Sequence, residues 1–127
     1  MSDIPADLRY TKEHEWIRLE GDIITVGITD YAQNALTDIV WVEFLMDGGA
    51  TCAEMEAFAA VESVKSVSDI YAPLAGEIVE VNEALQDAPE EMNADPYGAW
   101  IAKFRIADTG ALDALLDAAG YAAVIGA

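Results

Sequence analysis

The chain predicts a mainly β domain with short peripheral helices, on three grounds. Several runs alternate apolar and polar residues with period two, turn residues punctuate them, and helical periodicity is confined to short stretches. Ile17 and Leu19 alternate with Arg18 and Glu20 up to Gly21-Asp22, a dipeptide suited to a tight hairpin turn, and 23–28 returns as a strand. Asp30 with Gln33 three residues later makes a capping box for a helix of about two turns over 31–36. The run DIVWVEFL from Asp38 is apolar on both faces, as in a strand covered on both sides, and Asp47-Gly48-Gly49 ends it.

The second half repeats this grammar. Strands are expected at 57–64, 67–71, 77–82 and 100–106, the last with Trp100, Ala102, Phe104 and Ile106 on one face. The segment 86–98, with Pro89 and Pro96, reads as a loop. Asp108-Thr109 caps a C-terminal helix in which Leu112, Leu115, Leu116 and Ala119 form one stripe while Asp113 and Asp117 stay outside.

Composition limits what such a domain can be. At 127 residues and 54% hydrophobic content, one domain over 1–127 with one modest core is expected. The one cysteine, Cys52, has no disulfide partner in the chain and no zinc-type spacing beside it, which fits a reduced, cytoplasmic setting. MSDIPADLRY lacks the basic start and apolar run of a signal peptide, and GYAAVIGA is far shorter than the ~20 residues of a membrane span. Six Lys plus Arg against 24 Asp plus Glu give a net charge of −18, which disfavours nucleic acid and anionic membrane as partners. The acidity serves solubility and equally suits steering toward basic protein partners.

The residues needed for a self-contained catalyst are missing. His14 is the only histidine, so it reads as a structural residue near a strand start. The carboxylates lack calcium-loop spacing, HExxH is absent, and the glycines fit turns better than a phosphate cradle. Glu54 and Glu56 near Cys52 would raise its pKa and weaken it as a nucleophile. A chain of this kind can still enter chemistry by carrying a cofactor that supplies the reactive atoms. Lys65, one of three lysines, lies between FAAVESV and VSDIY, where a hairpin tip presents it to solvent. On position alone it reads as an ordinary turn lysine, and VKS lacks the Gly or Asn of a strong turn signal.

The surrounding residues change that reading. ESVKSVSDIYAPLAGEIVEVN, from Glu62 to Asn82, resembles the lipoylation segment of glycine cleavage H proteins almost throughout. The resemblance extends to YTKEHEW, GITDYAQ, DIVWVE and NADPYGAW, and so to nearly the whole chain. Biotin carriers typically flank their lysine with methionines, whereas Val64 and Ser66 flank this one, so lipoate is favoured.

The resemblance implies a barrel-sandwich hybrid of the lipoyl/biotinyl-carrier type, with lipoic acid in amide linkage to Lys65 and Glu62, Ser63, Val64 and Ser66 around it. It implies a non-catalytic carrier that shuttles an aminomethyl group from glycine decarboxylase to aminomethyltransferase, with dihydrolipoyl dehydrogenase and lipoate-attachment enzymes as further partners and a monomeric state. Glu15 and Asp69 match family positions near the cleft that shelters the arm, and either carboxylate can pair with the bound amine. Against this stands the plainer role of hydrogen-bonding strand ends. The chain departs from the family at Phe44-Leu45, at CAEMEAF and in the loop before Trp100, which is one residue short. These departures leave open an H-protein-like lipoate carrier of another oxidation pathway, such as heterodisulfide-reductase-like sulfur oxidation. An unmodified β binding or scaffold domain is the alternative of another class.

Overall fold

The computed structural model describes residues 4–126. Nine strands form two antiparallel sheets among these residues. The first has the order β1 (Arg9–Tyr10), β2 (Glu15–Glu20), β3 (Ile23–Ile28), β9 (Ala102–Arg105), β8 (Gly76–Val81), β5 (Thr51–Cys52). The second has β4 (Ile39–Phe44), β6 (Ala57–Ser63) and β7 (Val67–Tyr71), with β6 in the middle. The β2–β3 hairpin forms as expected, with Glu20 opposite Ile23 and Gly21 at φ 66°, the left-handed conformation that a Cβ disfavours. Alternation puts Ile24, Val26, Ile78 and Phe104 of one sheet against Val42, Phe58, Val61 and Ile70 of the other. Phe58 and Phe104 meet edge to face across this core with ring centroids 5.0 Å apart.

A second cluster lies at one end. Leu8, Tyr10, Trp16 and Tyr121 pack together, and Trp16 Nε1 donates to the Pro96 carbonyl at 2.9 Å. Gly27 stands directly opposite Trp16 in the β2–β3 register, and the indole occupies the space a Cβ on residue 27 would need. The glycine is required here for room.

Four local expectations are corrected. The first helix is α1, Asp30–Leu36, and its N-cap is Thr29, whose Oγ1 accepts from the Ala32 N–H. Asp30 instead occupies the first turn, where its Oδ1 accepts from Gln33 Nε2 at 2.7 Å. Strand β4 is not covered on both sides: Val40 and Trp41 are about half exposed because the β4–β6 register shifts between Ile39 and Trp41. Segment 86–98 is an ordered connection rather than a plain loop. Single-turn helices α2 (Ala84–Asp87) and α3 (Glu91–Ala94) bury Leu85 and Met92. The C-terminal helix is split. A 3-10 helix over Thr109–Ala114, capped by Asp108, ends where Leu116 exchanges backbone hydrogen bonds with Tyr10. A new helix α4, Ala118–Ile125, then starts on Asp117, whose Oδ1 accepts from the Gly120 N–H at 2.7 Å.

Candidate functional site

The β6–β7 hairpin presents Lys65. With Glu62 opposite Val67, residues 63–66 close the turn. Ser63 does the closing: its N–H donates to the Ser66 carbonyl at 2.8 Å, and its Oγ accepts from the N–H groups of Lys65 and Ser66 while donating to the Ser66 carbonyl. The Ser63 hydroxyl thus stands in for the missing turn glycine, and none of residues 63–66 adopts a positive φ. Val64 N–H donates to the Asp38 carbonyl at 3.1 Å, which ties the tip to the start of β4. Ser63 is buried, whereas Glu62, Val64, Lys65 and Ser66 are exposed. Lys65 takes part in none of the ion pairs among the described residues, which are Arg9–Asp113, Arg105–Asp22 and Arg105–Glu77.

A cleft of about 250 Å³ opens beside the hairpin, between β7 and α1. Its apolar lining comes from Ile28, Ala32, Ala35, Leu36 and Ile70, and its polar lining from Glu13, His14, Ser66, Ser68 and Asp69. Asp69 is among the residues that line it. His14 reaches it through a left-handed backbone (φ 69°), with Nδ1 2.9 Å from the Tyr121 hydroxyl and its ring 4.7 Å from that of Tyr31. Burial holds its pKa below the ordinary histidine value, so the ring is neutral near pH 7. That Glu13 and His14 line a cleft is not legible from their local sequence, because three distant segments converge to form it.

Glu15 is not on the cleft wall. It is fully buried, with Oε1 accepting from Thr11 Oγ1 at 2.8 Å and Oε2 accepting from the Tyr71 N–H at 3.0 Å. Oε2 fastens β2 to β7 while Oε1 ties it to the turn before β2, so both oxygens are committed and Glu15 is separated from Asp69 in role.

Comparison with known proteins decides the family. The Glycine cleavage H-protein family matches residues 8–126. The chain is 56% identical to a glycine cleavage system H protein of an Azoarcus species, with 98% of each chain covered. It is 59% identical to one from Thermus thermophilus, covering 97% of this chain and 96% of that one. The crystal structure of a glycine cleavage system H protein from Mycobacterium marinum superposes with a TM-score of 0.87 at 42% identity, covering 98% of this chain and all of that one. The chain belongs to the glycine cleavage H-protein family. The barrel-sandwich expectation holds with it, as does the expectation of a carrier component that is not itself a catalyst. H proteins carry lipoate covalently on a lysine.

Two buried groups of this H protein complete the electrostatics. Burial pushes the Cys52 thiol up to about 11, helped by Glu56, and Cys52 Sγ donates weakly to the Glu56 carbonyl at 3.7 Å. Burial also pushes the Glu15 carboxyl up to about 7 against the two hydrogen bonds that favour its ionised form. Because the folded-state pKa is raised above 4.5, the folded chain holds the proton more tightly than the unfolded chain. The resulting stability is present below about pH 4.5 and is lost as the pH climbs to about 7. Glu15→Gln removes this dependence, since its oxygen can accept from Tyr71 N–H while its amide donates to Thr11 Oγ1. The variant is expected to match wild type near pH 4.5 and exceed it at pH 8 by up to about 3 kcal/mol. Urea midpoints at the two pH values read the difference; equal gaps at both would show that Glu15 titrates normally.

Proposed function

We propose that this H protein carries its lipoyl group on Lys65 and delivers it between the enzymes of the glycine cleavage system as a single, monomeric carrier domain in the cytoplasm. The observation that carries the reading is the exposed hairpin tip closed by Ser63, with an apolar-walled cleft beside it. A carrier needs a rigid anchor, because a tether raises effective concentration at each visited site only if its root is held where partners can reach it. Ser63 and the Val64–Asp38 bond hold that root. The residues present fit the group: Lys65 would bear it, Ile28, Ala32, Leu36 and Ile70 would cover its apolar chain, and Asp69 and His14 would face its polar end. When bound, lipoate supplies the sulfur chemistry that takes up and releases the aminomethyl group.

Glycine decarboxylase and aminomethyltransferase are partners implied by the family. Dihydrolipoyl dehydrogenase and a lipoate-attachment enzyme complete the proposed set. Acylation turns an ammonium of pKa ~10.4 into a neutral amide. The formal charge then moves from −18 to −19, and the lipoylated form should run faster on a native gel. Intact mass and peptide mapping after expression with lipoate test the assignment; a chain that stays unmodified, or is modified only elsewhere, rejects it.

Asp69 gives a separate expectation. Exposed on the cleft, it can pair with a cationic amine, a contact that contributes up to ~1 kcal/mol at such a site. Asp69→Asn should leave lipoylation intact and shorten the lifetime of the loaded carrier by up to about fivefold. Ammonia release without the transferase measures it, and unchanged decay would remove Asp69 from this role.

A further inference from the structure

We propose that the outer face of the three-stranded sheet, where Trp41 and Val67 flank Glu62 at the root of Lys65, docks the enzyme that acylates that lysine. The fitting partner surface is an apolar pocket rimmed by Lys and Arg. The inference rests on Lys65 as the modified residue.

Register builds the face. Trp41 lies opposite Glu62 and Glu62 opposite Val67, so the three side chains form one cross-strand row. The next row on the same face is Glu43, Ala60 and Asp69. The intervening row, Val42, Val61 and Ser68, points to the core side. Trp41 is 47% exposed, Val40 50%, Val67 61% and Val64 67%, so four of the nine exposed large hydrophobics among the described residues lie in the strands and turn around one lysine. An exposed tryptophan among apolar neighbours is the kind of residue that anchors a protein interface.

Charge defines the partner. Lys65 is the only cation between residues 38 and 71, and Glu43, Glu62 and Asp69 share the outer face with it. A protein with Lys and Arg around its pocket complements that ring, and would be steered to it.

Reach selects which enzyme. An acylating enzyme uses Lys65 Nζ itself: the amine attacks the carbonyl of an activated acyl adenylate, the C–N bond forms, the acyl–oxygen bond breaks, and the nucleotide leaves with the electron pair while the amine proton passes to a base. Its active centre must therefore come within one lysine side chain of the backbone and cover the residues beside Lys65. Enzymes acting on the far end of an attached arm meet their target a full acyl chain further out and have no such need.

The test uses the apo protein with an adenylating lipoate ligase, lipoate and ATP. The double variant Trp41→Ser, Val67→Ser should raise KM for the carrier about tenfold or more while kcat stays within about twofold. Val79→Ser and Val124→Ser, exposed apolar positions away from the hairpin, should behave as wild type. Glu43→Lys should also raise KM and flatten its salt dependence. Acetylation of Lys65 by a small activated ester should be equal in all variants, which separates docking from a distorted hairpin. Unchanged KM with Lys65 still acylated overturns the docking face alone, as does altered reactivity toward the small ester or sedimentation showing that the face instead dimerises the carrier. Acylation at another lysine overturns the function proposed above.

Discussion

Lys65→Arg is expected to abolish lipoylation and reduce glycine-cleavage turnover to background, with fold and net charge unchanged. Arginine retains the positive charge, but its guanidinium stays protonated and does not form the amide. Lys65 is exposed and in none of the ion pairs among the described residues, so nothing in the fold depends on its ammonium. The turn itself is held by Ser63 and by backbone groups that the substitution leaves in place. Intact mass on the purified variant, with a melting curve beside it, reads both halves of the expectation. A normal lipoyl mass on Lys65→Arg would move the site to Lys12 or Lys103. Neither has a comparable setting, since Lys12 lines a cavity beside the 3-10 helix and Lys103 Nζ lies 4.8 Å from the Trp100 ring centroid.

Gly27→Val should have the largest effect on stability, a loss of about 4 kcal/mol. A Cβ at residue 27 would stand 2.6 Å from Cε2, Cζ2 and Nε1 of Trp16, closer than nonbonded atoms approach. The backbone of β3 cannot retreat without breaking its pairing with β9 on the other side, where Val26 faces Ala102. Trp16 must therefore leave its fully buried site and give up the bond to the Pro96 carbonyl. Thermal unfolding should fall by roughly 15 °C, taking about 4 °C per kcal/mol for a chain of this length. Trp16→Leu, which deletes Cε2, Cζ2 and Nε1, should cost less in the Gly27→Val background than in wild type; equal costs in the two backgrounds would show that the clash is not with that ring.

The legible part of the fold was the local part. Ile17 to Ile28 alternates and turns within its own sequence, so the β2–β3 hairpin could be read directly. The misreadings trace to non-local contacts or to single-residue choices. Thr29 and Asp30 are both good caps, and the buried Thr29, bonded to the Tyr121 hydroxyl at 2.6 Å from 92 residues away, took the position. The stripe from Leu112 to Ala119 suits one helix, but the Leu116–Tyr10 bridge draws the chain into an extended pairing and divides it. The apolar run around Trp41 suggested cover on both sides, and a register shift on an edge strand left it half bare. At the candidate site, resemblance pointed to Lys65 because its whole hairpin is one continuous stretch. The cleft was only partly legible: Asp69 lies on that stretch, whereas Glu13 and His14 arrive from before β2, and Glu15 turns inward to Thr11 and Tyr71.

The burial of Cys52 bears on thiol exchange. A protein whose attached group cycles between disulfide and dithiol risks being captured by any nucleophilic sulfur of its own, through a mixed disulfide that would lock the arm to the body. Cys52 is fully enclosed, and its thiol is held at about 11, so at neutral pH it presents almost no thiolate and no path of attack. The polypeptide is thereby silent toward sulfur electrophiles. An alkylating reagent added to the folded, reduced carrier would label the arm alone, which makes the redox state of the cargo directly countable.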